Sequence, residues 1–282
     1  MQANLTSVTS CERDALRGDD LTLGYHGTVV VTSADLRLQP GQVTALIGPN
    51  GSGKSTLLRA LARLHTPTSG CVSLPGVPDV HTLSAKDFAC RVTLLSQSRP
   101  TPSGVSVRDV VGYGRHPYRG RWRQNDADGP RAIAWAMRVT GVETMAERGV
   151  DELSGGELQR VWLATCLAQD TRVLLLDEPT TYLDLRYQVE ILDLVRDLAD
   201  DHGVAVGVVL HDLDQAASVA DHVVLLRRGE VVGSGTPHEV LTAEALSQTY
   251  GIRIDVQHDE ATGRVHTRPV GKHTHRAHLT TV

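Results

Sequence analysis

Residues 42–55 read QVTALIGPNGSGKS, an apolar run followed at once by a Gly-rich turn. STLLRALARL (55–64) comes next, and its spacing sets Leu57, Leu58, Leu61 and Leu64 on one helical face. The predicted order is buried strand, turn, helix. That is the context in which GxxxxGK[ST] signifies a phosphate-binding loop. Glycines let the backbone wrap so that several N–H groups point at one phosphate, and the new helix adds its positive end. The candidate nucleotide-binding segment is therefore Gly48, Pro49, Asn50, Gly51, Ser52, Gly53, Lys54 and Ser55, with Thr56 beside it. Lys54 would supply a mobile charge to the β- and γ-phosphates and Ser55 a hydroxyl to Mg²⁺. Lysine is scarce, three against 25 arginines (the others are Lys86 and Lys272), so one inside this loop calls for a specific reason.

Outward from the loop, LTLGY (21–25), VVV (29–31) and ADLRL (34–38) read as short strands of an antiparallel layer. CVSL (71–74) and VTLLS (92–96) read as further strands. Residues 98–170 hold helical stretches, RAIAWAMRVTG and GELQRVWLATCLAQ, with no strand between them, which predicts an inserted helical subdomain. Alternation then resumes: strand 173–177, amphipathic helix 185–200, and strands 205–211, 222–226 and 230–235. Alternating strands and helices imply a mainly parallel sheet covered on both faces, an α/β fold. Residues 1–19 read as a flexible polar tail, and those from about 257 to 282 as a second polar tail.

The 282 residues carry 28 basic and 33 acidic side chains, a formal charge of −5, with 40% hydrophobic residues. That profile is globular, and the net acidity argues against a dedicated nucleic-acid binder. Cys11, Cys71, Cys90 and Cys166 form no CxxC pair and fit reduced thiols. The seven apolar residues 204–210 fall far short of the ~20 needed to span a bilayer, so no spanning helix is expected.

Two more motifs carry chemistry. In VLLLDEP (173–179), a buried strand delivers Asp177 toward the metal, and Glu178, pointing differently, can polarise the attacking water. LSGGE (153–157) opens a helix that Ser154 can cap, and Gly155 and Gly156 allow close approach of an anion to free N–H groups.

With these motifs in this order, residues 20–256 resemble the ATP-binding-cassette ATPase family. The resemblance implies a P-loop NTPase with a RecA-like core, an antiparallel β layer and an inserted helical subdomain, using ATP and Mg²⁺. It also implies a homodimer in which Ser154, Gly155 and Gly156 grip the γ-phosphate of the partner's nucleotide. By the same resemblance Gln97 (LLSQS) joins Mg²⁺ and the attacking water to a membrane partner. Asp184 (TYLD) links the two sites, His211 (VVLHD) contacts the γ-phosphate, and Tyr25 stacks on adenine. Two departures stand out: LSGGE for the commoner LSGGQ, and TYLD for the frequent SALD.

Within the family, GVSVRDVVGYGRHPYRGRW (104–122), LLDEPTTYLDLRYQVEIL and the final YGI look like the ATPases of iron-siderophore importers, especially the ferric-citrate and ferric-enterobactin-like ones. Importers of cobalamin or haem share most of these features and form the nearest alternative. The implied partners are transmembrane permease subunits and, indirectly, an external substrate-binding protein, with no nucleic acid. The implied location is peripheral, on the cytoplasmic face of the cell membrane. Residues 99–123 hold six arginines with Tyr113, Tyr118 and Trp122, which suit a nucleic-acid groove, a permease-docking surface or a solvated loop. His258, His266, His273, His275 and His278 match no defined metal spacing and read as a solvated tail.

Overall fold

The computed structural model describes residues 15–97, 99–119, 126–259 and 264–272. Cys11, Arg121, Trp122, Arg123, His273, His275 and His278 lie outside the described residues.

The central sheet has strand order β5-β6-β7-β3-β8-β9, built from β3 (Val43–Ile47), β5 (Val92–Leu95), β6 (Val173–Asp177), β7 (Ala205–Val209), β8 (His222–Arg227) and β9 (Glu230–Gly235). All neighbours pair parallel except β8 and β9. Every residue of β3, β6 and β7 is buried, as expected of strands covered on both faces. The sheet separates two apolar clusters. Val43, Ala45 and Ile47 face one cluster, while Leu46 faces the other with Leu57, Leu58 and Leu61 of α1 (Lys54–Leu61).

β1 (Leu16–Tyr25), β2 (Thr28–Leu38) and β4 (Ser69–Ser73) form the antiparallel layer, in the order β2-β1-β4. The expected tail through residue 19 is cut short here, because Leu16–Asp19 already belong to β1. Their polar look misleads for a physical reason: one face of this layer is covered, so Leu16 and Gly18 are buried while Arg17 and Asp19 pair on the other face. A register shift between Gly18 and Leu21 then breaks the alternation, with Asp20 in the left-handed region (φ 50).

α2 (Ala85–Ala89) precedes β5, and between β5 and β6 the described residues form a helical insertion with α3 (Val107–Gly112), α4 (Gly129–Val139) and α5 (Gly155–Ala168). After β6 come α6 (Leu185–Asp200), α7 (Leu213–Val219), α8 (Pro237–Val240) and α9 (Ala243–Tyr250).

The second expected tail is also revised. Ile254–Asp259 (β10) and Arg264–Pro269 (β11) pair as an antiparallel hairpin. Ile254 and Val265 are buried in the main cluster, and Asp214 of α7 accepts from Thr267 N at 2.8 Å and Thr267 Oγ1 at 2.7 Å. The His238 and His258 rings stack at 4.8 Å. Two buried apolar side chains and one carboxylate are enough to seat an otherwise polar hairpin.

Candidate functional site

The loop between β3 and α1 takes its shape from close backbone approaches. Gly48 has φ +144°, and a Cβ there would stand 2.1 Å from Leu226 O; Gly53 has φ +101°, and its Cβ would meet Val31 Cγ2 at 2.6 Å. Gly229 N donates to Ser52 O at 3.1 Å, so the β8–β9 turn holds the loop from outside. Lys54 is 5% exposed and donates to Gly48 O (2.8 Å) and Pro49 O (3.0 Å). Burial lowers its pKa, while the nearby Glu178 and Asp177 carboxylates oppose that shift.

β6 ends beside this loop. Ser55 Oγ donates to Asp177 Oδ1 at 2.7 Å, and Arg59 Nη2 lies 3.5 Å from Asp177 Oδ2. Asp177 is 1% exposed, a buried carboxylate flanked by a hydroxyl and one cation. These hard oxygen donors fit Mg²⁺, whose preferred ligands are carboxylates, hydroxyls and phosphate oxygens. Glu178 has φ +56°, which turns its side chain away from that of Asp177. Its carboxylate sits between two donors: Gln97 Nε2, 2.6 Å from Oε2, and His211 Nε2, 2.6 Å from Oε1. Since a carboxylate accepts, the His211 proton belongs on Nε2. Thr181 Oγ1 adds a weaker contact to Oε2 at 3.3 Å.

The groups therefore come from the carboxyl ends of β3, β5, β6 and β7, where open α/β sheets bind ligands. Lys54, Ser55, Gln97, Glu178 and His211 line a cavity of about 480 Å³ with Asn50, Gly51, Gly53 and Thr56; Asp177 adjoins it through Ser55, and Gly48, Pro49 and Ser52 are not in its lining. Val30, Thr181 and Tyr182 also line it and were not foreseen. Proximity in sequence to Glu178 was the only signal for the last two.

Not every expected residue joins this cavity. Tyr25 packs its ring on His65, centroids 4.4 Å apart, and is 41% exposed outside the cavity lining. Ser154, Gly155, Gly156 and Asp184 are likewise absent from the lining. Ser154 caps α5 in a capping box: Glu157 N donates to Ser154 Oγ, and Glu157 Oε2 accepts from Ser154 N and Oγ, both at 2.8 Å. These bonds hold the Glu157 carboxyl below its usual range, with Arg148 3.2 Å away adding to the effect. Asp184 caps α6 by accepting from Tyr187 N at 3.1 Å, and the Tyr187 ring covers Gly156 so closely that a Cβ there would stand 2.4 Å from the ring.

Among the described residues of the arginine-rich stretch, Arg99, Arg115 and Arg119 make internal contacts. Arg99 donates to Leu94 O (2.7 Å) and lies over the Trp162 ring; Arg119 donates to Gly112 O. Arg115 is 3% exposed, bidentate to Asp126 at 2.7 and 2.8 Å, and sits 3.8 Å above the Tyr118 ring. These three guanidiniums act as struts.

Among the described residues no helix is long and apolar enough to cross a membrane.

The chain is similar to known proteins in sequence and in fold. A family profile described as ABC transporter covers residues 31–181. The ferric enterobactin transport ATP-binding protein FepC of Escherichia coli (strain K12) is 43% identical over 260 residues, 91% of this chain and 94% of the relative. The iron(3+)-hydroxamate import ATP-binding protein FhuC of Bacillus subtilis (strain 168) is 42% identical over 252 residues, 89% and 93% of the two chains. A solved metal-chelate-type ABC transporter in an inward-facing conformation superposes with a TM-score of 0.80 at 26% identity, covering 92% of this chain and 98% of that one. Family profile, relatives and fold agree that this chain belongs to the ABC transporter family, as an ATP-hydrolysing cassette subunit.

Proposed function

We propose that this chain hydrolyses ATP at the Glu178 site to drive import of ferric siderophores through a membrane permease. The observation that carries the catalytic part is the Glu178 carboxylate held at 2.6 Å by both Gln97 and His211, beside the phosphate loop. Names of the relatives, ferric enterobactin and iron(3+)-hydroxamate transport, support the cargo class.

In this reading the loop N–H groups and the α1 N-terminus cradle the phosphates, with Lys54 leaving its loop carbonyls to meet them. Ser55, Asp177 and Gln97 would hold Mg²⁺, which supplies charge neutralisation on the β- and γ-phosphates. Glu178 accepts a proton from the attacking water, and Gln97 and His211 fix the direction in which its carboxylate faces. Two copies close head to tail, so that Ser154, Gly155 and Gly156 of each complete the other's site and Asp184 connects them. Tyr25 stacks on the adenine. The permease converts closure into release of chelate from an external binding protein, with this subunit peripheral on the cytoplasmic face.

The test is uptake of labelled ferric siderophores, haem and cobalamin by iron-starved cells carrying wild type or a chromosomal Glu178→Gln replacement. Loss of a ferric siderophore alone supports the proposal. Loss of haem or cobalamin alone reassigns the cargo, and unchanged uptake of all three overturns the importer reading.

A further inference from the structure

The loop between β6 and α6 holds two non-glycine residues in the left-handed region, Glu178 at φ +56° and Tyr182 at φ +64°. Such a backbone persists only where its surroundings hold it. Here three side chains form a continuous chain of hydrogen bonds across the loop. Thr180 Oγ1 donates to Gln215 Oε1 at 3.1 Å, Gln215 Nε2 donates to Gln188 Oε1 at 2.8 Å, and Gln188 Nε2 donates to Leu183 O at 2.9 Å. Gln159 Nε2 of α5 adds a donor to Pro179 O at 3.0 Å.

The direction of this chain is imposed from one end. Leu183 O can only accept, so Gln188 turns its NH₂ toward it and its oxygen toward Gln215; that orients the Gln215 amide in turn and leaves Thr180 as the donor. The chain begins two residues after Glu178 and ends one residue before Asp184. It also reaches the cavity from the β7 side. Asp212 Oδ1, in the residue after His211, accepts from Gln215 N at 3.0 Å, and His211 Nε2 meets Glu178 at 2.6 Å. The stretch 178–180 is thus tied to the stretch 211–215 at both of its ends. Neither Gln188 nor Gln215 lines the Glu178 cavity, so both act through the loop and not on a ligand. We propose that Gln215 and Gln188 are positioning residues for Glu178: their amides, on α7 and α6, lock residues 180–183 and thereby hold the Glu178 carboxylate where it meets the attacking water. The inference rests on the reading of Glu178 as the general base.

The experiment uses the full chain with ATP and Mg²⁺, read by steady-state and single-turnover hydrolysis, calorimetric ATP binding and thermal melting. Gln215→Leu and Gln188→Leu break the chain. The near-isosteric Gln215→Glu still accepts from Thr180 but has no proton to give Gln188, and it carries the test should a leucine variant melt below the assay temperature. Each is expected to lower kcat about tenfold or more with the ATP Kd within about twofold, because a misplacement of about 1 Å can cost about 100-fold while the phosphate loop is untouched. In a Glu178→Gln background, adding Gln215→Leu is expected to leave the residual single-turnover rate within about twofold, as for residues that act as a unit. A kcat near wild type in folded Gln215→Leu or Gln215→Glu overturns the proposal. So does a fall of equal size in both backgrounds, which would make the amides supports of the fold at large. Near-normal turnover in Glu178→Gln alone overturns the general-base reading, and this inference with it.

Discussion

Glu178 Oε1 and His211 Nε2 lie 2.6 Å apart, which joins the end of β6 to the end of β7 across the floor of the cavity. Glu178→Gln preserves shape and can still meet Gln97, but it cannot take a proton. Turnover is expected to fall about 10²–10⁴-fold with ATP binding retained, the size of a lost general base. Single-turnover hydrolysis alongside equilibrium binding checks this, and near-normal turnover would remove Glu178 from the mechanism.

Lys54 is the one lysine among the groups lining the cavity. Lys54→Ala removes a charged donor to phosphate, and hydrogen bonds to charged groups contribute about 1.5–3 kcal/mol, so ATP affinity is expected to fall about 10- to 100-fold. Calorimetric titration at fixed Mg²⁺ measures it, and retained affinity would contradict the loop assignment.

Gly156 faces the Tyr187 ring too closely for any Cβ. Gly156→Ala should displace α5 from α6 and cut ATP turnover at least tenfold. Adding Tyr187→Ala should restore part of it by emptying the space. If the double variant is no better than the single one, the clash is not the cause.

Arg115 and Asp126 form a buried bidentate pair, 3% and 15% exposed. Arg115→Ala is expected to cost about 3 kcal/mol, the low end for breaking such a pair, because Asp126 can partly rehydrate. Asp126 is held below the usual carboxylate range first by its hydrogen bond to Arg115, against the effect of burial. The unfolded chain thus binds this proton more readily, and the stabilisation is complete above about pH 4 and lost as pH falls through the lower folded value. Denaturant melts from pH 7 to 3 should show a flatter acid limb in Asp126→Asn; an unchanged limb would place the acid sensitivity elsewhere.

Much of the Glu178 cavity was legible because most of its residues lie close to one another in sequence, in two short stretches. Asp177 closes and Glu178 follows the apolar run VLLLD, Lys54 and Ser55 open the helix that follows VTALI, and all four line or adjoin one cavity. The start of β1 was not legible, since only one face of Leu16–Asp19 is covered and a register shift hides the period. The C-terminal hairpin was hidden for a similar reason: Ile254 and Val265 alone are buried, and its anchor, Asp214, is 53 positions away from Thr267. The fate of the arginines could not be read either, as Arg99 and Arg115 are absorbed by Leu94 O, Trp162 and Asp126 through tertiary contacts. Tyr182, 96% exposed with φ +64°, lines the cavity without any periodic signal.

The position of β3 in the sheet bears on how the chain is made. Its hydrogen-bonded neighbours are β7 and β8, and Val43 pairs with Val206 across 163 intervening steps of chain. Pairings that distant close late, after the shorter-range hairpin of β1 and β2 can form. During synthesis the ribosome must therefore add residues through about 227 before β3, the strand that leads into the Lys54 loop, gains both of its flanks. Until then the glycine loop has neither Leu226 O against Gly48 nor Gly229 N on Ser52, and a nascent chain stalled before β8 should neither retain ATP nor resist protease at residues 48–53.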